Sequence, residues 1–348
     1  MTLKGIEGMA RNVYGLDLGT YEIKVYDKKK DIIWKEKNVI AIANEKTIFA
    51  VGDEAYEMYE KAPGNIQVVF PMKEGVISRF HDMQYLLQSL LNKDKKFVRG
   101  SEYVIAVPTD VTEVEKRAFF DLVIHSQAKA REVNIVERGI AQCIGLDIDI
   151  ESCKGVMIVD FGGETTEMSV VASGGMVLNK MLKIGGYTFD NAIANVIRHN
   201  YDFLIGRLTA EMLRCRFGIF GGDSNATQKV AGRNLITGVP QQLEIPISAV
   251  RAAMKEPMAE CISRINLLLE RTPPEVLRAI QQNGIYLTGG ISSLSGLAQY
   301  IEGATGYPVH VAAHPDICTV QGLSKIIMSK ELKKLAYSMI DENYRWMR

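Results

Sequence analysis

Cysteine pairs, histidine motifs, long apolar runs and an excess of either charge are all missing from this chain, and each absence removes a class of function. The five cysteines (Cys143, Cys153, Cys215, Cys261, Cys318) are odd in number, scattered and without a CxxC pair. That argues against a zinc knuckle or a disulfide framework and for buried or reduced thiols in a reducing cytosol. The histidines include no HExxH, and His310 and His314 adjoin the strand-like PVHV, a poor setting for a metal pair. No run of about 18 apolar residues occurs, so no membrane-spanning helix is expected. The N-terminus shows no apolar signal-peptide core. Lys plus Arg (41) balances Asp plus Glu (41). A neutral chain offers no global field to nucleic acid, so none is expected as a partner, and a charged partner must meet a local patch.

What is present is ordinary globular material: 348 residues, 47% apolar and 24% charged. That length suits about two domains of roughly 150 residues each. One pattern occurs twice. NVYGLDLGTYEIKVYD (Asn12–Asp27) reads as an apolar strand, Asp-x-Gly-Thr and a second strand. GVMIVDFGGETTEMSVVA (Gly155–Ala172) repeats the device, with Asp160 lying 143 residues after Asp17. Each reads as a β-hairpin with a short turn rich in Gly and Thr. Two such hairpins in one chain suggest duplicated domains, with both turns directed into one cleft.

Helical patterns follow. VTEVEKRAFFDLVIHSQA (Val111–Ala128) predicts a helix opened by a capping box of Thr112 and Glu115. VNIV leads through Glu137 into a helix reaching Gly145. Thr272 before Pro273 and Pro274, with Glu275 at the capping-box position, predicts another start. GIYLTGGISSLSGL (Gly284–Leu297) reads as a strand, a glycine pair and a helix start, a junction whose N–H groups favour anions or the sugar and phosphate of a nucleotide. Strand alternating with helix makes the fold class α/β.

Further segments carry a specific likeness: DLGT at Asp17, AVGDEAYEM at Ala50, PGNIQ at Pro63, PMKEGVI at Pro71 and VPTDVTEVEKRA at Val107. LKIGGYTFDNAI at Leu182, IRHNYDFLIGRLTAE at Ile197, AGRNLITGVP at Ala231, ERTPPE at Glu270 and LTGG at Leu287 continue it. Over about residues 12–330 the chain resembles the MreB family of rod-shape-determining bacterial actin homologues. The resemblance implies the actin-like ATPase fold: two duplicated ribonuclease-H-like domains closing on ATP and Mg²⁺. Domain I would be 11–145 plus 323–348, with a small insert at about 33–70; domain II would be 146–322, with an insert at about 183–246. It also implies filaments, made by self-association, on the inner face of the plasma membrane, where the family works with cell-wall elongation proteins. The chain would thus be cytoplasmic and peripheral to the membrane.

For the nucleotide, the turn Asp17–Thr20, including Gly19, is expected to offer N–H groups to the β-phosphate. Lys24 could reach the phosphates or be an exposed strand lysine. Asp17 and Asp160 are placed to hold Mg²⁺ through waters. Gly162, Gly163, Glu164, Thr165 and Thr166 form the second phosphate loop, with both threonine hydroxyls offered to the γ-phosphate. Gly185 and Gly186 are expected in the same pocket. Glu211 resembles the family's ribose contact, with Arg214 on the same helical face, and Gly289 and Gly290 would bring backbone close to the adenosine.

Hydrolysis needs a group that aims a water at the γ-phosphate. In the family this is a glutamate followed by proline at a helix start. The matching dipeptide here is Arg138-Gly139, and Glu137 stands one residue early, turned by about 100° on a helix. The family's glycine after Gly162-Gly163 is Glu164. A carboxylate in a phosphate loop is tolerable when a cation faces it, and Arg138 is the candidate. The other readings are that Glu164 points to solvent, or that the loop does not take ATP. ATP hydrolysis is therefore expected to be slow if it occurs at all.

Phe97 and Val98, among Lys93, Lys95, Lys96 and Arg99, resemble the family's membrane loop; a core residue beside a solvated charge run is the plainer reading. Residues 331–348 read as an interfacial helix or as a segment docked on domain I. A sugar kinase, a chaperone-type ATPase and a division-type membrane tether are the competing members of the superfamily. The first lacks a recognisable base and sugar pocket, the second a substrate domain, and the third differs in its insert.

Overall fold

Both expected hairpins are present, and each seeds a sheet of the same order. The computed structural model describes residues 12–45, 47–92, 100–125, 130–218, 220 and 226–340. The chain divides into two units, one running to Ile148 and resuming at Ile317, the other Asp149–Asp316. In the first unit, strand Val13–Leu18 is central. On one side it pairs antiparallel with Glu22–Asp27, which pairs in turn with Ile32–Lys37; on the other it runs parallel to Glu102–Val107, followed by Glu132–Glu137. In the second unit, Val156–Phe161 takes the central place. Thr166–Ala172 and Gly175–Leu182 lie antiparallel on one side, Ile285–Thr288 and Val309–Val311 parallel on the other. The shared order is the structural counterpart of the repeated sequence pattern.

The central strands are continuous apolar runs because helices cover them. Leu16, Leu18, Val156 and Ile158 are fully buried. Each unit has its own core, one around Tyr103, Phe119 and Phe120, the other around Phe161, Phe189 and Phe203. A three-stranded sheet, Ile40–Ala43 between Thr47–Val51 and Ile66–Val69, occupies the first expected insert. The second insert holds Phe203–Leu204, Thr227–Asn234 and Pro240–Pro246 in another three-stranded sheet.

The helix Cys318–Met328 returns the chain to the first unit and sets its geometry. It packs on the Arg138–Gly145 helix at backbone contact: a Cβ on Gly322 would stand 1.7 Å from the Ala141 carbonyl oxygen, and one on Gly145 2.3 Å from that of Cys318. Gln142 Nε2 donates to Thr319 Oγ1 at 3.2 Å across the contact. Lys325 Nζ reaches the carbonyls of Ile144 and Gly145, both at 3.2 Å, giving the end of that helix a cation for its exposed carbonyls. The break expected at 322/323 would cut this helix, whereas the whole of it belongs to the first unit.

Local expectations fare unevenly. The capping box is built as read: Glu115 N–H donates to Thr112 Oγ1 at 3.2 Å, Thr112 N–H to Glu115 Oε2 at 2.8 Å, and the helix runs Glu113–Ile124. Thr272, by contrast, is no cap. Its hydroxyl donates back to the Leu268 carbonyl at 2.8 Å, closing the preceding helix, and Pro273 takes the cap position of Pro274–Asn283. Nor do residues from 331 onward begin one long helix. Leu332–Leu335 is a 3₁₀ turn, Tyr337 bridges to Ile135, and Met339 is buried in the first unit's core. This tail covers an edge strand; residues 341–348 lie outside the described set.

Two measurements check the packing. Gly322→Ala should destabilise the protein by about 1–3 kcal/mol or more in chemical denaturation, since the added methyl meets backbone rather than a movable side chain. Thiol labelling at about pH 8 should modify exposed Cys215 first. Cys261, pushed up to about 11 by burial, should label only after unfolding, with buried Cys143 and Cys318.

Candidate functional site

The first turn is tight because its backbone closes on itself. Gly19 N–H donates to the Glu22 carbonyl at 3.1 Å, and a Cβ on Gly19 would come within 2.8 Å of that oxygen. Asn38, fully buried, donates from Nδ2 to the Gly19 carbonyl at 2.8 Å and fixes the turn from outside. Sequence reading missed Asn38, and nothing local marks it, because it arrives from the far end of the hairpin's third strand. Thr20 and Asp17 are both buried.

Asp17 lies between two cations. Lys24, its cross-strand partner in register, holds Nζ 3.9 Å from Oδ2. Arg138 holds Nε 3.7 Å from Oδ1, and its Nη2 donates to the Leu18 carbonyl at 3.4 Å. Arg138 is 7% exposed and Asp17 6%, so both ion pairs are shielded from solvent. Lys24 is not the exposed strand lysine. Burial lowers the Lys116 ammonium's affinity for its proton, but Tyr337, Glu113 and Glu137 around it outweigh burial and raise it above the usual lysine value. Glu137 is thus one of the groups that act on Lys116.

In the second unit, Gly162 N–H donates to the Thr165 carbonyl at 2.8 Å and closes the loop. The helix Gly186–Tyr201 then docks on it: Gly186 N–H donates to the Gly162 carbonyl at 3.0 Å and Tyr187 N–H to that of Gly163 at 2.8 Å. A Cβ on Gly185 would stand 2.6 Å from the backbone of Glu164 and Thr165. Gly185 and Gly186, expected to meet nucleotide, serve this helix-to-loop contact, and the N–H of Gly186 is engaged. Thr166 is engaged within the protein as well. Its hydroxyl donates to the Ile184 carbonyl at 2.7 Å and the residue is fully buried. Thr165 stays in the loop, and the strand begins only at Thr166.

Arg214 is committed as well. Its Nε donates to Asp190 Oδ1 at 2.6 Å, with Glu211 Oε1 3.8 Å from Nη2, and the Arg214–Asp190 pair is buried. Asp190 was not read from the sequence. Gly289, at φ +81°, has its N–H on the Pro315 carbonyl at 2.7 Å, and a Cβ there would meet Phe161 and Asp160. Gly290 differs: no heavy atom lies within 4 Å of where its Cβ would be. Asp160 stands opposite Glu167 in the antiparallel register and opposite Thr288 in the parallel one. Thr288 Oγ1 is buried with no hydrogen-bond partner.

In the first unit, Lys24 and Arg138 place positive charge beside the first turn, of the kind a polyphosphate takes. In the second unit, Thr288 has a buried hydroxyl and Gly290 has open space where a Cβ would be. Asp160, with Glu167 opposite it in register, is a carboxylate of the type Mg²⁺ takes through waters, whereas Asp17, expected to share the ion, already faces two cations.

The MreB/Mbl protein family's sequence model matches residues 11–335. The chain belongs to the MreB/Mbl family. Cell shape-determining protein MreB of Escherichia coli (strain K12) is 36% identical over 334 residues, covering 93% of this chain and 96% of that protein. Cell shape-determining protein Mbl of Bacillus subtilis (strain 168) is 33% identical over 330 residues, covering 94% and 98%. A crystal structure of MreB5 of Spiroplasma citri bound to AMPPNP superposes with a TM-score of 0.88 at 28% identity, covering 94% of this chain and 98% of that one. The fold is actin-like. No described helix of this MreB/Mbl chain is long and apolar enough to cross a membrane. Phe97 and Val98, the expected membrane contacts, lie outside the described residues.

The Asp190–Arg214 pair makes a separate prediction. Asp190→Ala should cost about 3–5 kcal/mol in denaturant unfolding, because it leaves a buried guanidinium without its carboxylate. Replacing both by apolar residues of similar volume should cost less than that single change.

Proposed function

We propose that this chain is a filament-forming MreB/Mbl protein that binds ATP and turns it over slowly. Arg138 against the Asp17–Thr20 turn is the observation that carries the reading. The first turn would take the β-phosphate, with Lys24 as a point charge. Gly162, Gly163 and Thr165 would serve the γ-phosphate, and Gly290 and Glu211 the adenosine. Asp160, through waters, is the main donor left for Mg²⁺, which supplies charge neutralisation on the phosphates. Filaments would lie on the inner face of the plasma membrane, held by Phe97 and Val98, and act on cell shape through cell-wall elongation proteins. Family membership supports those statements, and the loop composition supports the membrane contact.

Slow turnover follows from the chemistry of the side chain. A guanidinium stays protonated and accepts no proton, so Arg138 cannot aim or deprotonate a water as a glutamate does. Glu137, the neighbouring carboxylate, ends its strand one residue before the helix begins. A water-positioning group contributes about 10²–10⁴-fold, so its loss raises the barrier by about 3–5 kcal/mol.

Phosphate release under polymerising conditions tests this. Arg138→Glu alone should restore little, because Glu164 would stand as a second carboxylate near the γ-phosphate. Arg138→Glu with Glu164→Gly should exceed the parent at least about tenfold. A parent already as fast as the double variant would sink the reading. Separately, changing Phe97 and Val98 together to Ser should sharply lower co-sedimentation with anionic vesicles; unchanged binding would move the contact elsewhere.

A further inference from the structure

The first turn holds one donor that the protein itself leaves open. Gly19 N–H is engaged by the Glu22 carbonyl at 3.1 Å. The next amide, Thr20 N–H, makes no hydrogen bond among the described residues, although Thr20 is only 8% exposed. Its direction is set by the other end of the same peptide unit. In a trans peptide the C=O and the following N–H point to opposite sides, and no described peptide bond is cis. The Gly19 carbonyl receives Asn38 Nδ2 at 2.8 Å, so Thr20 N–H faces away from Asn38. Asn38 follows Lys37, the register partner of Glu22, and its own N–H donates to the Tyr21 carbonyl at 2.9 Å. One fully buried residue thus grips the carbonyls on both sides of Thr20. Without the side-chain amide the Gly19–Thr20 peptide could turn over, because Gly19 tolerates the change in ψ that a flip demands. Asn38 Oδ1 is buried with no hydrogen-bond partner among the described residues. An apolar side chain would avoid that unmet acceptor, so the bond from Nδ2 is the reason for an asparagine here.

We propose that Asn38 is a positioning residue for the nucleotide: by holding the Gly19 carbonyl it aims the Thr20 N–H at a phosphate oxygen and keeps it there before the ligand arrives. This rests on the ATP-binding reading above and deepens it by naming the donor and the residue that directs it. A preset N–H needs no reorientation on binding, and its affinity comes from that. The contribution belongs to the phosphates alone. Adenosine, which carries none, gains nothing from Asn38.

The test is the affinity of the full chain for inorganic tripolyphosphate, ATP and adenosine, measured by calorimetry. Asn38→Leu keeps the shape, adds no charge and loses the donor. It should weaken tripolyphosphate and ATP at least about tenfold and leave adenosine within about twofold. Asn38→Asp supplies a pH readout. Its carboxylate cannot donate, but burial raises a carboxyl's pKa and the protonated form donates again. At about pH 8 it should bind ATP no better than Asn38→Leu, and at about pH 5.5 at least about threefold better, a reversal that a packing defect would not produce. Asn38→Leu matching the parent for tripolyphosphate would overturn the inference and leave the ATP reading standing. Equal losses for adenosine and ATP would also overturn it, by making Asn38 a scaffold residue only. If neither variant folds, the parent decides. With threonine-selective isotope labelling, and Thr20→Ser to assign the peak, the Thr20 amide should shift downfield on adding tripolyphosphate; an unmoved peak would overturn the inference. A parent that binds neither ATP nor tripolyphosphate would remove the ATP reading and this inference together.

Discussion

The backbone-to-backbone approach of the return helix and the Arg138–Gly145 helix is the constraint on which the first unit depends. Gly322 and Gly145 allow it, since any side chain at either position would overlap a carbonyl. The same helix crosses the central strand at Gly15, where a Cβ would sit 3.1 Å from Leu323 and Ile327. One element is thus pinned to a strand and to a helix by missing side chains. The Arg138–Gly145 helix cannot rotate or withdraw, and its first residue is held over the Asp17 turn. Packing far from the turn decides which charge the turn meets.

The duplicated sheets show how one geometry acquires two chemistries. Asp17 and Asp160 occupy the same place, at the end of the central strand before a glycine turn. Their cross-strand partners differ: Lys24 in one unit, Glu167 in the other. Directly opposed side chains on a pleated sheet are close enough for charge to matter. The aspartate of the first hairpin therefore faces a cation and that of the second a carboxylate. Arg138 adds a second cation beside Asp17.

Several glycines that look made for a ligand are made for the protein. Gly185, Gly186 and Gly289 let backbone segments touch, and the N–H groups of Gly186 and Gly289 are bonded to carbonyls. A rigid loop results, its shape held by hydrogen bonds inside its own unit. Such a scaffold can present the few remaining groups, Thr165, Gly290 and Thr288 among them, without ordering cost at the moment of binding.

Sequence alone determined the features that local pattern encodes. Apolar strand runs, tight glycine turns, the Thr112–Glu115 capping box and the repeated hairpin all depend on neighbours within a few residues. Shared motifs were enough to indicate the family, and the departures at Arg138 and Glu164 were visible as departures. Only the tertiary structure decided where the side chains go. Thr165 and Thr166 are indistinguishable in a row of letters, yet the first stays in the loop while the second opens a strand and gives its hydroxyl to the Ile184 carbonyl. Thr272 read as a cap and proved to be the end of the previous helix, because its hydroxyl found a carbonyl four residues back. Asp190 for Arg214, Asn38 for Gly19 and Asp17 for Arg138 are partners brought together from distant parts of the chain. Those pairings follow from which faces are buried against which, a property of the packed core that no short stretch of sequence contains.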